Sequence, residues 1–178
     1  MGQRGEGIGC PTPRRSRRSA RSRNREIKQH RVRPAAQRDR RWPDMTPARS
    51  PGDIVSALQA RRRSRPSGWT TQEDLHDIDR ALAEHPASAE LWMLRGDFIL
   101  LCDDADDTTP LEEALRSYKT AADLAPTRPE PQLEIGHYMD SVADDPAGAI
   151  PFFERAIALG GGQEARDALQ AAKQQLGD

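Results

Sequence analysis

One spacing in this chain returns, and it limits what the chain can fold into. Ala114, Tyr118 and Ala121 are followed by Pro126, and Ala149, Phe153 and Ala156 repeat the first three positions 35 residues later. Ala81 and Pro86 stand five apart, as do Ala121 and Pro126, 40 residues further on. Gly96 and Gly136 are also 40 apart. Steps of three, four and seven place each set on one face of a helix. The unit is about 34 residues, with six added by the acidic loop after Cys102 and one by the DDPAG turn. A helical hairpin of that length cannot bury its own apolar side and needs neighbours stacked on it.

The segments between the breaks fit this period. GDIVSALQARRR places Ile54, Val55 and Leu58 on one side, with Asp53 near its start and Arg61 to Arg63 at its end, the charge order that suits a helix dipole. TTQEDLHDIDRALAEHP follows the SRPSGW break. Thr70 and Glu73 stand at capping-box spacing, and Leu75, Ile78, Ala81 and Leu82 form a stripe. Ser88 is the expected N-cap of SAELWMLRGDFILLC. In the fourth segment Thr109 is expected to cap, Pro110 to take the first helical position, and Leu111, Leu115, Tyr118 and Leu124 to face inward. PEPQLEIGHYMDSVA is the fifth, and the sixth opens at Asp145 and Pro146 and ends at Gly160 to Gly162, with Pro151 in its second turn. QEARDALQAAKQQL closes the series, with Gln174 and Gln175 facing out as a polar cap. Seven short helices and no strand pattern predict an all-α protein.

This periodic helix–turn–helix resembles the tetratricopeptide repeat, whose pattern carries Trp, Leu, Gly and Tyr on the first helix and Ala, Phe or Tyr, Ala and Pro on the second. Trp92 and Gly96 match on the third helix, where Arg95 replaces the Leu and Ile99 the Tyr. Ala114, Tyr118, Ala121 and Pro126 match without a departure. On the fifth helix Ile135 and Gly136 match, Gln132 replaces Trp and Met139 the Tyr; on the sixth Ala149, Phe153 and Ala156 match and Gly161 stands for Pro. Ala81 and Pro86 belong to a degenerate earlier copy. The resemblance covers residues 70–178, behind a leading helix and linker at 49–69. It implies a short antiparallel helix-hairpin solenoid of about two to three repeats. Small Gly96, Ala114, Gly136 and Ala149 would let helices approach, and Trp92, Tyr118 and Phe153 would fill the spaces between hairpins. Two complete repeats are few for an independent solenoid, so the leading helix or self-association is expected to complete the core.

The resemblance also implies a function: first helices lining a concave groove that holds an extended peptide or a helix. The family's groove-facing positions fall on Glu90, Met93, Asp97 and Leu100 of the third helix and on Glu130, Leu133, His137 and Asp140 of the fifth. These residues are either a partner-binding groove or the solvated face of two helices. As a groove they are acidic, with Met93, Leu100 and Leu133 as apolar floor and none of the Lys or Arg positions by which some relatives clamp a C-terminal carboxylate. A basic or amphipathic protein or peptide partner is favoured.

Chemistry finds little support. His30, His76, His85 and His137 make no i, i+4 pair and have no Cys beside them; no HExxH, CxxC, phosphate-binding glycine loop or Gly-x-Ser-x-Gly occurs. GEGIG follows no strand and reads as tail. Asp103, Asp104, Asp106 and Asp107 lack the glycine and distal glutamate of a calcium loop and read as solvated. No catalytic, cofactor or metal residue is assigned, and the expectation is a protein that is not an enzyme. Apolar residues are 35% and aromatics 4%, so the core must be modest and rich in Ala and Leu, and no run approaches a membrane span. Two cysteines, Cys10 and Cys102, make no disulfide framework; a reducing, cytoplasmic setting follows, with Cys102 a small buried hydrophobe.

The net charge of −1 conceals a division. Residues 1–44 carry 14 Lys and Arg against 4 Asp and Glu, and residues 45–178 carry 13 against 24. The arm, residues 1–48, has almost no aliphatic side chains and reads as disordered. Three readings stay open: a nucleic-acid arm acting through residues 14–41, a targeting segment without the usual amphipathic or apolar face, or translated upstream sequence, with Met45 the start.

Overall fold

The computed structural model describes residues 50–104 and 108–177. The arm at 1–48 with its three readings, Cys10, and Asp106 and Asp107 of the acidic loop lie outside the described residues. Seven α-helices are present among those described: α1 Pro51–Arg63, α2 Gln72–Glu84, α3 Ala89–Leu100, α4 Glu112–Leu124, α5 Glu130–His137, α6 Pro146–Ala158 and α7 Gly162–Gly177. A wide π turn, Tyr138–Val142, continues α5, with Ala143 N donating to Tyr138 O at 3.0 Å. The described residues are all-α and take the form of a helix-hairpin solenoid.

Local chemistry sets most helix starts. Ser50 and Asp53 form a capping box on α1, with Pro51 in the first helical position and Arg61 to Arg63 in the last turn. Ser88 accepts from Leu91 N on α3, and the Asp145 carboxylate accepts from Gly148 N at 2.8 Å on α6. Two starts differ from the sequence expectation. The capping box of α2 is Thr71 with Asp74, one residue later than Thr70 with Glu73. Thr70 is held elsewhere: its Oγ1 donates to Phe98 O at 2.7 Å, its N–H to Leu101 O, and its carbonyl accepts from Asp103 N. It is buried and ties the α1–α2 connection to the end of α3. In α4 the helix begins at Glu112 with no side-chain cap, because Pro110 and Leu111 form a tight leading turn whose carbonyls accept from Glu113 N and Ala114 N. The first residue of α4 is thus Glu112, two positions after Pro110. Leu124, expected inside, is the last residue of α4 and is 40% exposed; burial falls on Ala114, Ser117, Tyr118, Ala121 and Ala122.

The repeat spacing has a direct packing basis. Gly96 lies under the Tyr118 ring: a Cβ there would stand 2.7 Å from Cζ and 2.8 Å from Cδ1. Gly136 lies under Phe153 in the same way, at 2.6 Å from Cδ1 and 3.0 Å from Cζ. These rings thus fill the crossing inside their own hairpins, α3 with α4 and α5 with α6, and Tyr118 also shares a buried cluster with Ile135 and Tyr138 of the next hairpin. Trp92 does sit at a junction, its Nε1 donating to Pro86 O at 2.9 Å in the turn that joins α2 to α3.

The leading helix completes the stack. Ile54 and Leu58 are fully buried in one cluster with Ile78, Leu91, Phe98 and Tyr118. Each such side chain contributes about 1.5–3 kcal/mol. A second cluster joins Leu133, Ala149, Phe153, Ala156, Ala165 and Ala172, and Met139 packs against both. Under α1, Asp74 is buried and bound by Arg65 and Arg61, while Arg61 also reaches Asp77 at 2.8 Å. Burial raises the Asp74 pKa, but the Arg65 bonds, the Thr71 backbone bond and the charges of Arg61 and Arg65 outweigh it and leave the carboxyl below its ordinary value.

Candidate functional site

Four helices stand side by side and parallel. At the α1–α3 contact, Gly52 lies near Glu90 at one end, and the Arg62 charge acts on Asp97 towards the other. Between α3 and α5, Arg128 bridges Glu90 at 3.5 Å and Glu130 at 3.2 Å, and Asp97 and Glu134 repel each other further along. Between α5 and α7, Glu134 feels Glu164, and Gln175 Nε2 donates to Asp140 Oδ1 at 3.0 Å. The first helix of each hairpin and the closing α7 therefore share one surface, and α2, α4 and α6 form the other layer.

This surface gathers most of the residues expected from the sequence. Glu90 and Glu130 are exposed at one rim and share Arg128. Asp97 is half-buried and accepts a hydrogen bond from the Tyr118 hydroxyl at 2.9 Å. Asp140 is half-buried beneath Gln175. Met93 and Leu100 are partly buried against the first cluster. His137 packs edge-on to Phe153, centroids 5.3 Å apart. Leu133 goes elsewhere: it is 6% exposed and belongs to the second core cluster, so its side chain offers almost no floor.

Sequence reasoning missed Glu134, Glu164 and Arg62. Glu134 follows Glu130 by four and precedes His137 by three, so the helical period places it on the same face. Glu164 and Arg62 carried no comparable signal, because their helices lie outside the two that the repeat pattern marked as complete.

The electrostatics are those of crowded carboxylates. Burial pushes Glu134 up from 4.5 to about 7, and the charges of Asp97 and Glu164 add to the shift. Burial also raises Asp97, against the Tyr118 hydrogen bond and the Arg62 charge, which lower it. Tyr118 is raised well above its ordinary range by burial and by the Asp97 and Glu134 charges. At the rim, Glu130 is lowered by a backbone hydrogen bond and by Arg128. Among the described residues, no hydrogen bond or ion pair reaches the Glu134 carboxylate. No group of three or more His, Cys, Asp or Glu among them could hold a metal ion, and no helix among them is long and apolar enough to cross a membrane. A shallow depression of about 360 Å³, lined by Arg166, Leu169, Gln170, Lys173 and Gln174, lies on α7 alone.

The fold has a solved counterpart. The crystal structure of the Sgt2 TPR domain from Aspergillus fumigatus is similar, with a TM-score of 0.53 and 17% identity over 72% of this chain and 82% of that one. The chain thus has a tetratricopeptide-like fold. No family model matches the sequence, and no curated protein does.

Proposed function

We propose that this protein is a non-enzymatic interaction module whose surface of parallel helices docks a basic or amphipathic peptide or helix of a partner protein. The observation that carries the reading is the run of carboxylates drawn from three helices: Glu90 and Asp97 of α3, Glu130, Glu134 and Asp140 of α5, and Glu164 of α7. Arg62 and Arg128 stand against them. Bringing Asp97, Glu134 and Glu164 together costs folding free energy through burial and repulsion, and a cation placed there recovers it. Met93 and Leu100 supply apolar contact beside the charges, and His137 an aromatic edge. Leu133 serves the docking face only by supporting α5 from inside. The setting we infer is cytoplasmic.

The test is an amide-shift titration of the full chain with a synthetic amphipathic peptide of Arg and Leu, beside a control with Glu in place of Arg. The expected shifts fall at Glu90, Asp97, Glu134 and Glu164 and weaken as salt rises. Shifts confined to α2, α4 and α6, or equal for both peptides, would refute the docking surface. The charge of the arm favours a second reading, an adaptor that engages nucleic acid through residues 14–41. It predicts a steep fall of RNA or DNA affinity with salt that Arg→Gln changes across 14–41 abolish.

A further inference from the structure

We propose that the chain's own Arg-rich segment, residues 14–41, occupies the acidic surface of α3, α5 and α7 and has to be displaced by whatever docks there. This rests on the docking reading above and adds its regulation. Three observations support it.

The first is charge. Residues 14–41 hold 13 Lys and Arg against 2 Asp and Glu. The surface they would meet carries Glu134 close enough to Asp97 and to Glu164 to be repelled by both. Arginine suits such a site, since its planar fork spans two carboxylates while its stem lies on Met93 or Leu100.

The second is place. The chain enters α1 at Ser50, and Gly52 lies beside the Glu90 carboxylate, so the arm joins the body at the rim of the acidic surface and not behind it. The nine peptide units from Arg41 to Ser50 can reach up to about 30 Å. Two helix spacings, from α1 across α3 to α5, take about 16–20 Å. Arg41 and the arginines before it therefore reach Glu134 without any change in the helices.

The third is an unmet need on the surface itself. The rim acids share Arg128, Asp97 has the Tyr118 hydroxyl, and Asp140 has Gln175. Glu134 has no such contact among the described residues, and it lies at the centre of the run. A tethered segment faces the surface at an effective concentration of order millimolar, so even an intrinsic affinity of about 0.1 mM keeps the site mostly filled. An outside peptide then binds about tenfold more weakly than to a vacant site.

The experiment uses the full chain. A spin label on Cys10, with buried Cys102 left unlabelled, should broaden the amides of Glu90, Asp97, Glu134 and Glu164 far more than those of Lys119 and Arg155 on the other layer. Arg→Gln changes at positions 14, 15, 17, 18, 21, 23, 25, 31, 33, 38, 40 and 41 should remove that contrast. The same neutralised chain should bind the Arg–Leu peptide about tenfold more tightly than the unaltered chain. Even broadening across both layers, or broadening on α2, α4 and α6, overturns the proposal. Equal peptide affinity in both chains also overturns it while leaving the docking surface intact. Failure of both chains to bind the peptide sinks the docking reading, and this proposal with it.

Discussion

Replacing Gly96 by Ala tests the packing on which the whole stack depends. Two effects oppose each other. Alanine is the better helix former by about 0.8–1.0 kcal/mol, so on propensity alone the change stabilises α3. The new methyl, however, would stand 2.7 Å and 2.8 Å from carbons of the Tyr118 ring, where carbon atoms prefer about 3.5–4.0 Å. The ring has nowhere to go: it is 1% exposed, and its hydroxyl is anchored to Asp97 at 2.9 Å. Overpacking of this kind costs about 1–3 kcal/mol. The clash outweighs the propensity gain, leaving a net loss of about 1 kcal/mol and a fall of about 4 °C in the melting midpoint. Gly52 in α1 is the control, because a Cβ there meets only ordinary contacts at 3.8 Å and 3.9 Å; Gly52→Ala should raise stability by about 0.5 kcal/mol. Urea unfolding of both variants, with the double change Gly96→Ala/Tyr118→Leu, separates the terms. Removing the ring should relieve the methyl, so the double change costs about 1 kcal/mol less than the two single losses added together. If Gly96→Ala stabilises as Gly52→Ala does, the hairpin crossing is not where the glycine is needed.

Tyr118→Phe keeps the ring but leaves the half-buried Asp97 carboxylate without its donor, and urea unfolding should show a loss of about 1–2 kcal/mol. Asp74→Ala leaves Arg61 and Arg65 facing a gap beneath α1 and should cost about 3 kcal/mol near neutral pH. Because Asp74 is held below its ordinary 3.8, its contribution is present above that value and lost as pH falls through the folded-state value, so the gap between parent and variant should narrow in acid. Glu134 has the opposite sign: its value rises from 4.5 to about 7, so the folded chain binds the proton more tightly and stability falls as pH climbs between them. Glu134→Gln should stabilise by about 1–2 kcal/mol at pH 8, after discounting for solvent at a partly exposed group, and have no effect at pH 4; equal gains at both would refute the assignment.

What the sequence made legible is what helix pitch alone determines. The glycine-to-ring match of α3 with α4 and of α5 with α6 shows as a spacing because each crossing needs one missing side chain and one large one at the same level. Ser88, Asp145 and Pro146 show because a cap acts within one turn. The errors come from forces acting across the chain. Thr70 is an apt N-cap read locally, but its hydroxyl donates to Phe98, 28 residues away, and the cap moves to Thr71. Leu124 fits the stripe of α4 and is exposed because the helix ends there. The distinction between Leu133 and Glu134 depends on how α5 is rotated between α6 and α7. One helical step of about 100° moves the inward position out to the shared surface, which spacing from an ideal repeat does not resolve.

That rotation is also why the acidic surface is informative. No stretch of sequence puts Asp97, Glu134 and Glu164 together; they lie on three helices, and Glu134 comes near the other two because α5 runs between α3 and α7. Structural demands do not explain the arrangement, since neutral side chains at Glu134 or Glu164 would remove the repulsion without touching the Gly136–Phe153 crossing or the Ala165 and Ala172 contacts of the second cluster. A stack stabilised by its glycines and rings thus carries a charge distribution that works against it. A cationic occupant turns that distribution into binding free energy. It also favours the ionised form of Glu134, so docking of a basic peptide should tighten as pH rises through about 7 and release protons at pH 6, measurable as a buffer-dependent binding enthalpy. Binding that is independent of pH between 6 and 8 would place the occupant away from Glu134.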